Sequence, residues 1–162
     1  MDPKVVFLGT GSMKPSKYRN VSSIYVEMNP NNSILLDCGE GSYYQLFNHF
    51  GYEEIDRITL NTRVIFITHI HSDHNLGILD FIAERNKLLR RKYNKSSFAS
   101  EQQYQSAIKN DKLILIIPYN VLAWFDSYVQ KVEYLLEGCE VLFVQTILGE
   151  PYDQSNATIS KD

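Results

Sequence analysis

The hydrophobic positions of this chain fall into short apolar runs, separated by polar turns and by longer stretches with helical spacing. Short runs of apolar and β-branched residues bounded by turn residues are typical of strands in a sheet. They predict strands at Val5–Leu8, Ile24–Met28, Ser33–Asp37, Val64–Thr68, Lys112–Ile117 and Val141–Val144. Helical spacing predicts helices over Ser42–Phe50, Leu76–Lys92 and Tyr119–Leu136. Strands that alternate with helices indicate an α/β layered fold.

Two polar segments interrupt this pattern. Residues 94–111 show no clear period, which predicts a mobile loop or an insertion. After Gln145 the chain becomes polar, so we expect one domain over residues 1–144 and a frayed or disordered tail over residues 145–162. A chain of 162 residues that is 44% hydrophobic is long enough for one domain with its own core.

Composition narrows the class of protein. No apolar stretch is long enough to span a membrane and no secretory signal is visible, so we expect an intracellular protein without a membrane partner. Cys38 and Cys139 are single and far apart, as is typical of small buried residues. The net charge of −3 does not favour nucleic acid, although local patches carry such contacts. Several cations lie late in the second predicted stretch of helical spacing or just after it, where the helix dipole favours positive charge: Lys87, Arg90, Arg91, Lys92 and Lys95. The dipole accounts for them better than contact with nucleic acid does.

One short turn carries most of the candidate chemistry. His69, His71, Asp73 and His74 follow the fourth predicted strand, and imidazole and carboxylate are ligands that suit zinc. Residues two apart on an extended backbone point to the same side, so we expect His69 and His71 to share one ion while Ile70 faces the core. Asp73 and His74 come after the bend and are expected to reach a second ion. The turn is therefore interpreted as half of a two-metal hydrolytic site.

Three further blocks precede this turn. Asp37 ends an apolar strand, where an inward carboxylate can orient a metal-binding histidine. Gly9 and Gly11 let the backbone pass close to a ligand or metal pocket. Lys17 and Arg19 lie in a polar loop, where cations can meet phosphate. Each block by itself is explained by turn chemistry or a solvated charge, but their order ahead of the histidines favours a common site.

Together these motifs resemble a known family. The run from His69 to His74 has the pattern His-x-His-x-Asp-His, which resembles the signature of the metallo-β-lactamase superfamily. The blocks FLGTGS (7–12), PSKYRNVSS (15–23) and LLDCGEGSYYQL (35–46) resemble ribonuclease Z. The last block is closer to the catalytic half of the long form than to the short form. The resemblance covers about Val5 to Val144 and is dense up to Asp80.

The resemblance implies a metallo-β-lactamase-like αβ/βα layered sandwich, of which this chain holds only the N-terminal half. It implies two Zn²⁺ ions, with His69, His71, Asp73 and His74 among their ligands and Asp73 also as the catalytic proton acceptor. The implied activity is that of an endoribonuclease that removes 3′ trailers from precursor tRNA, leaving a 3′-hydroxyl tRNA and a 5′-phosphate trailer. The implied location is the nucleus or the mitochondrion, with the cytoplasm as an alternative.

The histidine count leaves alternatives open. The chain has four histidines, and the fourth, His49, lies in the first predicted helix. The family draws further histidine ligands from later in the chain, so we expect a fragment that is inactive alone. The alternatives are another hydrolase of the superfamily, arylsulfatase-like or glyoxalase-like, and a non-catalytic half-domain. Half of a layered fold leaves apolar sheet surface exposed, so a homodimer or an aggregate is an alternative to a monomer.

Overall fold

A computed structural model describes residues 2–129 and 135–149 of the chain. These residues form the strands β1 (Lys4–Gly9), β2 (Ser23–Asn29), β3 (Asn32–Leu36), β4 (Thr62–Phe66), β5 (Leu113–Ile117) and β6 (Cys139–Phe143). The six strands make one sheet in the order β1-β2-β3-β4-β5-β6. The first three strands pair antiparallel, whereas β3 to β6 run parallel.

Helices fill the connections between the parallel strands, as crossover connections require. The helices of the described residues are α1 (Ser42–Phe50), α2 (Ile55–Asn61), α3 (Ser72–Asn75), α4 (Ile78–Tyr93), α5 (Glu101–Ala107), α6 (Tyr119–Val129) and α7 (Val144–Leu148). Helices α1 and α2 connect β3 to β4, helices α3 to α5 connect β4 to β5, and α6 follows β5. None of the described helices is long and apolar enough to cross a bilayer.

One face of the sheet forms the core. Tyr25, Leu35, Ile65 and Leu115 lie side by side across four strands, and each is at most 1% exposed. Residues of four helices pack into the same cluster, among them Leu46, Ile58, Phe81, Ile82 and Phe125. The alternation of buried and less buried residues along each strand follows from the two-residue period of a pleated strand.

The opposite face of the sheet is apolar but not buried. The strand register aligns two rows across all six strands, one of Phe7, Ile24, Leu36, Phe66, Ile116 and Leu142, the other of Val5, Val26, Ile34, Val64, Ile114 and Glu140. None of these side chains is buried by the described residues, and Phe7 is 66% exposed. A sheet with one covered and one uncovered apolar face agrees with the expectation that half of a layered sandwich is present.

The structure corrects several sequence-based expectations. The helix over residues 42–50 is confirmed, but α2 was not predicted and α4 begins at Ile78. The prediction of a loop over residues 94–111 is wrong, because α5 and two short 3₁₀ helices, Lys95–Ser97 and Lys109–Asp111, lie there. Ser100 caps α5 by accepting a hydrogen bond from the Gln103 backbone N–H, and Tyr104 is buried. Burial of Tyr104 and Ile108 thus accompanies order in a segment without a clear hydrophobic period.

Two expectations extend beyond the described residues. The predicted helix over residues 119–136 is seen as α6 up to Val129, and residues 130–134 lie outside the described part. Residues 144–148 form the short helix α7, whereas residues 150–162 of the predicted tail lie outside the described part. The domain boundary at residue 144 therefore stays a prediction.

Strand order places the candidate site. Leu36 of β3 pairs with Phe66 of β4, so the loops that follow these parallel strands emerge side by side. The Asp37 backbone N–H donates to the Phe66 carbonyl at 2.8 Å. The carboxylate after β3 therefore lies next to the histidine turn after β4.

Candidate metal centre

Side-chain and backbone hydrogen bonds fix the path of the histidine turn. The Asn75 side-chain amide donates to the carbonyls of Ile70 and His71, at 2.7 and 2.9 Å. The Cys38 backbone N–H donates to the His74 carbonyl at 2.8 Å, which ties the turn to the loop after β3. Ile70 does not face the core as expected but is 42% exposed, because the chain has left the sheet at this point.

Two glycines let the loop after β3 touch this turn. A Cβ atom on Gly39 would lie 2.2 Å from the Asp73 carbonyl oxygen. A Cβ atom on Gly77 would lie 2.1 Å from the Gly39 carbonyl oxygen. Both distances are far below van der Waals contact with backbone atoms, so any side chain at either position would push the turn away from Asp37.

The ring nitrogens of His69 and His71 face each other. His69 Nε2 lies 3.1 Å from His71 Nδ1. The His69 ring also lies beside that of His74, with centroids 4.1 Å apart. The three imidazoles of the motif are therefore brought together, whereas His49 lies in α1 with its ring edge against Phe50.

Asp73 and His74 form a second donor pair. Asp73 Oδ2 lies 3.6 Å from His74 Nε2 and accepts a hydrogen bond from the Met13 backbone N–H at 2.8 Å. The Met13 hydrogen bond is the largest influence on the Asp73 carboxyl and, against the effect of desolvation, lowers its pKa below the ordinary value. A carboxyl group with a lowered pKa is ionised at neutral pH and is able to ligate a cation.

Asp37 connects the two ends of the histidine turn. Its Oδ2 accepts a hydrogen bond from His74 Nδ1 at 2.6 Å. Its Oδ1 accepts from both the backbone N–H and the hydroxyl of Thr68, each at 2.9 Å. The Thr68 hydroxyl also lies 2.8 Å from His69 Nδ1. Sequence reasoning identified Asp37 but missed Thr68, Met13 and Asn75, although Thr68 and Asn75 directly flank the motif.

The donor atoms fit zinc in kind, since neutral imidazole nitrogens and a carboxylate are its common ligands. In residues 2–129 and 135–149, however, no group of three or more His, Cys, Asp or Glu side chains converges into a metal shell. The turn therefore offers two pairs of candidate metal ligands, His69 with His71 and Asp73 with His74, rather than a closed metal site. Their assignment as ligands stays a prediction.

Lys17 and Arg19 lie in an exposed loop whose start contacts the turn through Met13. The Ser16 side chain accepts from the Arg19 backbone N–H at 3.1 Å, which closes the loop, and Lys17 Nζ lies 5.6 Å from the centre of the Tyr18 ring. Neither cation has an ion-pair partner among the residues that the structure describes. Both remain available to an anion.

The cations near the end of α4 are already paired. Lys87 contacts Glu84, Arg90 and Lys95 contact Glu137, Arg91 contacts Asp56, and Lys92 contacts Asp111. This pairing supports the interpretation that these cations belong to the protein surface rather than to an RNA contact.

Comparison with known proteins identifies relatives. The family model described as Anti-Pycsar protein Apyc1 matches residues 3–133. "Zinc phosphodiesterase ELAC protein 2" of Rattus norvegicus is 39% identical over 140 residues, which are 86% of this chain and 15% of that protein. "Ribonuclease Z, mitochondrial" of Drosophila melanogaster is 33% identical over 161 residues, which are 96% of this chain and 19% of that protein.

Solved structures agree with the fold. The long-form RNase Z from yeast superposes with a TM-score of 0.67 at 26% identity, over 88% of this chain and 18% of that chain. The metallo-β-lactamase fold protein YhfI from Bacillus subtilis, at 17% identity, superposes with a TM-score of 0.57 over 88% of this chain and 47% of that chain. The resemblance to ribonuclease Z and the fold class are therefore confirmed, and the chain spans less than a fifth of these curated relatives. By its family match over most of its length, the chain belongs to the family described as Anti-Pycsar protein Apyc1, and with its ribonuclease Z relatives it has the metallo-β-lactamase fold.

Proposed function

We propose that this chain is part of a zinc-dependent endoribonuclease that removes 3′ trailers from precursor tRNA. The observation that carries the proposal is the juxtaposition of two donor pairs in one turn. His69 Nε2 lies 3.1 Å from His71 Nδ1, and Asp73 Oδ2 lies 3.6 Å from His74 Nε2. The relatives of this chain, which are called zinc phosphodiesterase and ribonuclease Z, support the choice of metal and of reaction.

In this proposal the four side chains would hold two Zn²⁺ ions together with ligands from other residues. When bound, zinc lowers the pKa of an attacking water and stabilises the charge that develops on the phosphate. Asp73 is both a ligand and the acceptor of the proton that this water loses. Attack on phosphorus would break the bond to the 3′-oxygen, which would take up a proton from solvent, so that the products would be a 3′-hydroxyl tRNA and a 5′-phosphate trailer.

Neighbouring residues position the ligands and the substrate. Asp37 orients His74 through the hydrogen bond of 2.6 Å to its Nδ1. Lys17 and Arg19, whose loop begins at the backbone contact to Asp73, contact RNA phosphates in the proposed complex. Such contacts add affinity without reading the sequence of the RNA.

The chain alone is proposed to be inactive. Two tetrahedral zinc ions need more ligand atoms than the four side chains of this turn supply, and the described residues form no closed metal shell.

The names of the Drosophila and Arabidopsis relatives, which include the word mitochondrial, support a mitochondrial location, with the nucleus as a second location. A homodimer through the uncovered sheet face is a further part of the proposal.

The test is an Asp73→Ala substitution in the longest natural form of the protein that carries this segment. Cleavage of a 3′-extended precursor tRNA, measured in single turnover, should fall by about a thousandfold or more, because a ligand and a proton acceptor are lost together. Binding of the precursor should persist, since phosphate contacts elsewhere carry most affinity. Wild-type-like cleavage by this variant would refute the proposed role of Asp73.

Two controls sharpen this experiment. Asp56→Ala removes an exposed carboxylate that pairs with Arg91 and should leave cleavage unchanged. Arg91→Ala with Lys92→Ala should at most weaken binding in a salt-dependent way.

An arylsulfatase-like or glyoxalase-like hydrolase is the alternative, and hydrolysis of a small ester without cleavage of precursor tRNA would favour it. Absence of both activities, despite a metal-loaded protein, would favour a non-catalytic domain.

A further inference from the structure

We propose that Thr68 is a positioning residue that fixes the tautomer of His69, so that His69 presents a lone pair at Nε2. The inference deepens the proposed metal-dependent function and rests on it for its consequence, although the tautomer itself is a property of the chain. Thr68 lies two residues after the end of β4 and stands between Asp37 and His69. Its hydroxyl oxygen lies 2.9 Å from Asp37 Oδ1 and 2.8 Å from His69 Nδ1.

The number of hydrogens on these groups determines the direction of each bond. A threonine hydroxyl has one hydrogen, and an aspartate carboxylate can only accept. The Thr68 hydroxyl therefore donates to Asp37, and its free lone pair accepts a hydrogen from His69 Nδ1. In the neutral ring the single proton is then on Nδ1 and the lone pair is on Nε2, the atom that lies 3.1 Å from His71 Nδ1.

The backbone makes this arrangement rigid. The Thr68 backbone N–H donates to the same Asp37 Oδ1 at 2.9 Å, so two hydrogen bonds hold the residue against one carboxylate oxygen. Asp37 in turn lies 7% exposed, between the loops that follow β3 and β4. Rotation of the Thr68 side chain away from His69 would break its bond to this nearly buried carboxylate.

The same carboxylate fixes a second imidazole. Asp37 Oδ2 accepts from His74 Nδ1 at 2.6 Å, so a neutral His74 ring carries its lone pair on Nε2, the atom that lies 3.6 Å from Asp73 Oδ2. Asp37 thus acts on His74 directly and on His69 through Thr68. The two rings lie side by side with their centroids 4.1 Å apart, and both present the Nε2 lone pair.

This relay has a chemical consequence. A free neutral imidazole in water prefers the proton on Nε2, and that tautomer cannot ligate through Nε2. The hydrogen bond made by the other ring nitrogen decides which nitrogen carries the proton in a protein. Loss of the Thr68 hydroxyl should therefore return His69 toward its preference in water and weaken metal binding by about tenfold to a hundredfold.

The experiment compares the wild-type 162-residue chain with Thr68→Val and Thr68→Ser, all metal-free and at mildly alkaline pH. Valine has nearly the shape of threonine without the hydroxyl, whereas serine keeps the hydroxyl. Long-range proton–nitrogen correlation spectra identify the protonated nitrogen of each histidine ring. We expect Nδ1–H for His69 in the wild-type chain and in Thr68→Ser, and a shift toward Nε2–H in Thr68→Val. His74 should remain Nδ1–H in all three chains, as an internal control of folding.

A second readout is competition for Zn²⁺ against a chelator, in which Thr68→Val should bind at least tenfold more weakly and Thr68→Ser should recover most of the affinity. A wild-type His69 with its proton on Nε2 would overturn the inference even if Thr68→Val failed to fold. So would a folded Thr68→Val chain with an unchanged His69 tautomer. The tautomer is measured without RNA, so failure of the relay and failure of the proposed tRNA cleavage are distinguishable.

Discussion

Asp37 shows how the backbone adapts to the candidate site at the scale of one residue. It adopts a left-handed conformation with φ of 56°, which costs a non-glycine residue about 1–2 kcal/mol. Contacts on every side offset this cost. Its backbone N–H donates to the Phe66 carbonyl at 2.8 Å, and its carbonyl accepts from the Ser23 hydroxyl at 3.0 Å. The left-handed turn is what aims the carboxylate at Thr68 and His74.

Gly39→Ala tests how closely the loop after β3 must approach the histidine turn. The new Cβ would meet the Asp73 carbonyl oxygen at 2.2 Å, and a backbone atom cannot move aside cheaply. We expect the free energy of unfolding to fall by about 2–3 kcal/mol in urea titrations. The neighbouring Glu40 is exposed, so Glu40→Ala should change it by less than about 0.5 kcal/mol. Equal stability of the two variants would mean that the loop is free to move.

At the scale of elements, Asp111 ties three segments together. It lies in the 3₁₀ helix before β5 and accepts hydrogen bonds from Arg63 of β4 and from Lys92 and Tyr93 of α4. Burial by itself would raise the pKa of Asp111, but these three hydrogen bonds outweigh it and hold the pKa well below the ordinary value. The segment predicted to be a mobile loop is thus anchored by its last residue.

Asp111→Asn tests this anchor and its pH dependence. A folded-state pKa below the unfolded value gives stability that is present above the ordinary carboxyl pKa and is lost as the pH falls through the folded value. We expect the variant to be about 2–3 kcal/mol less stable at neutral pH. This difference should shrink as the pH falls below the ordinary aspartate range. Urea titrations at several pH values measure both effects.

An exposed ion pair provides the control for that measurement. Asp56 is 54% exposed at its side chain and pairs with Arg91 at 3.4 Å. Asp56→Asn should cost less than about 1 kcal/mol at any pH, because solvent screens such a pair. A pH-independent gap between Asp111→Asn and the wild-type chain would contradict the proposed role of the Asp111 carboxylate.

At the scale of the whole molecule, the uncovered sheet face dominates the expected behaviour. One row of apolar side chains crosses all six described strands and a second crosses five of them before it ends at Glu140, and none of these side chains is buried. Exposed apolar patches of this kind drive association. The chain spans only 18% of the length of the long-form RNase Z from yeast on which it superposes.

We expect the isolated chain to self-associate with increasing concentration in sedimentation velocity runs. Ile34→Thr, Val64→Thr and Ile114→Thr together should shift it toward monomer, because threonine keeps the β-propensity and removes apolar surface. Tyr52→Thr is the matched control, since Tyr52 is 85% exposed but lies outside the sheet. A monodisperse wild-type monomer with a sharp cooperative melt would identify a self-sufficient small domain instead.

The open arrangement of the candidate ligands leads to a prediction about metal retention. Four donors in two pairs leave each ion exposed to water and chelators, so equilibrium dialysis should show sub-stoichiometric zinc that is easily stripped. Asp73→Ala should reduce the retained zinc further, whereas Asp80→Asn, a change at an exposed residue of α4, should not. Two tightly held ions per chain would show that ligands from the undescribed residues or from a second chain complete the shells.

The sequence by itself determined the alternating strands and helices, and it singled out the histidine turn and the resemblance to ribonuclease Z that this turn carries. It could do so because strand and helix periods are local, and because the three histidines and Asp73 lie within six residues. Asp37 was found because it ends an apolar strand that precedes the turn. These features require no knowledge of which strands are neighbours.

Only the tertiary structure decided how these parts meet. The contact of Met13 with Asp73 spans 60 positions, and that of Thr68 with Asp37 spans 31. Both exist because the loops after β1, β3 and β4 emerge at one edge of the sheet, which the strand order sets. Helix α5 likewise depends on burial of Tyr104 against the rest of the molecule, and a local pattern contains no record of such burial.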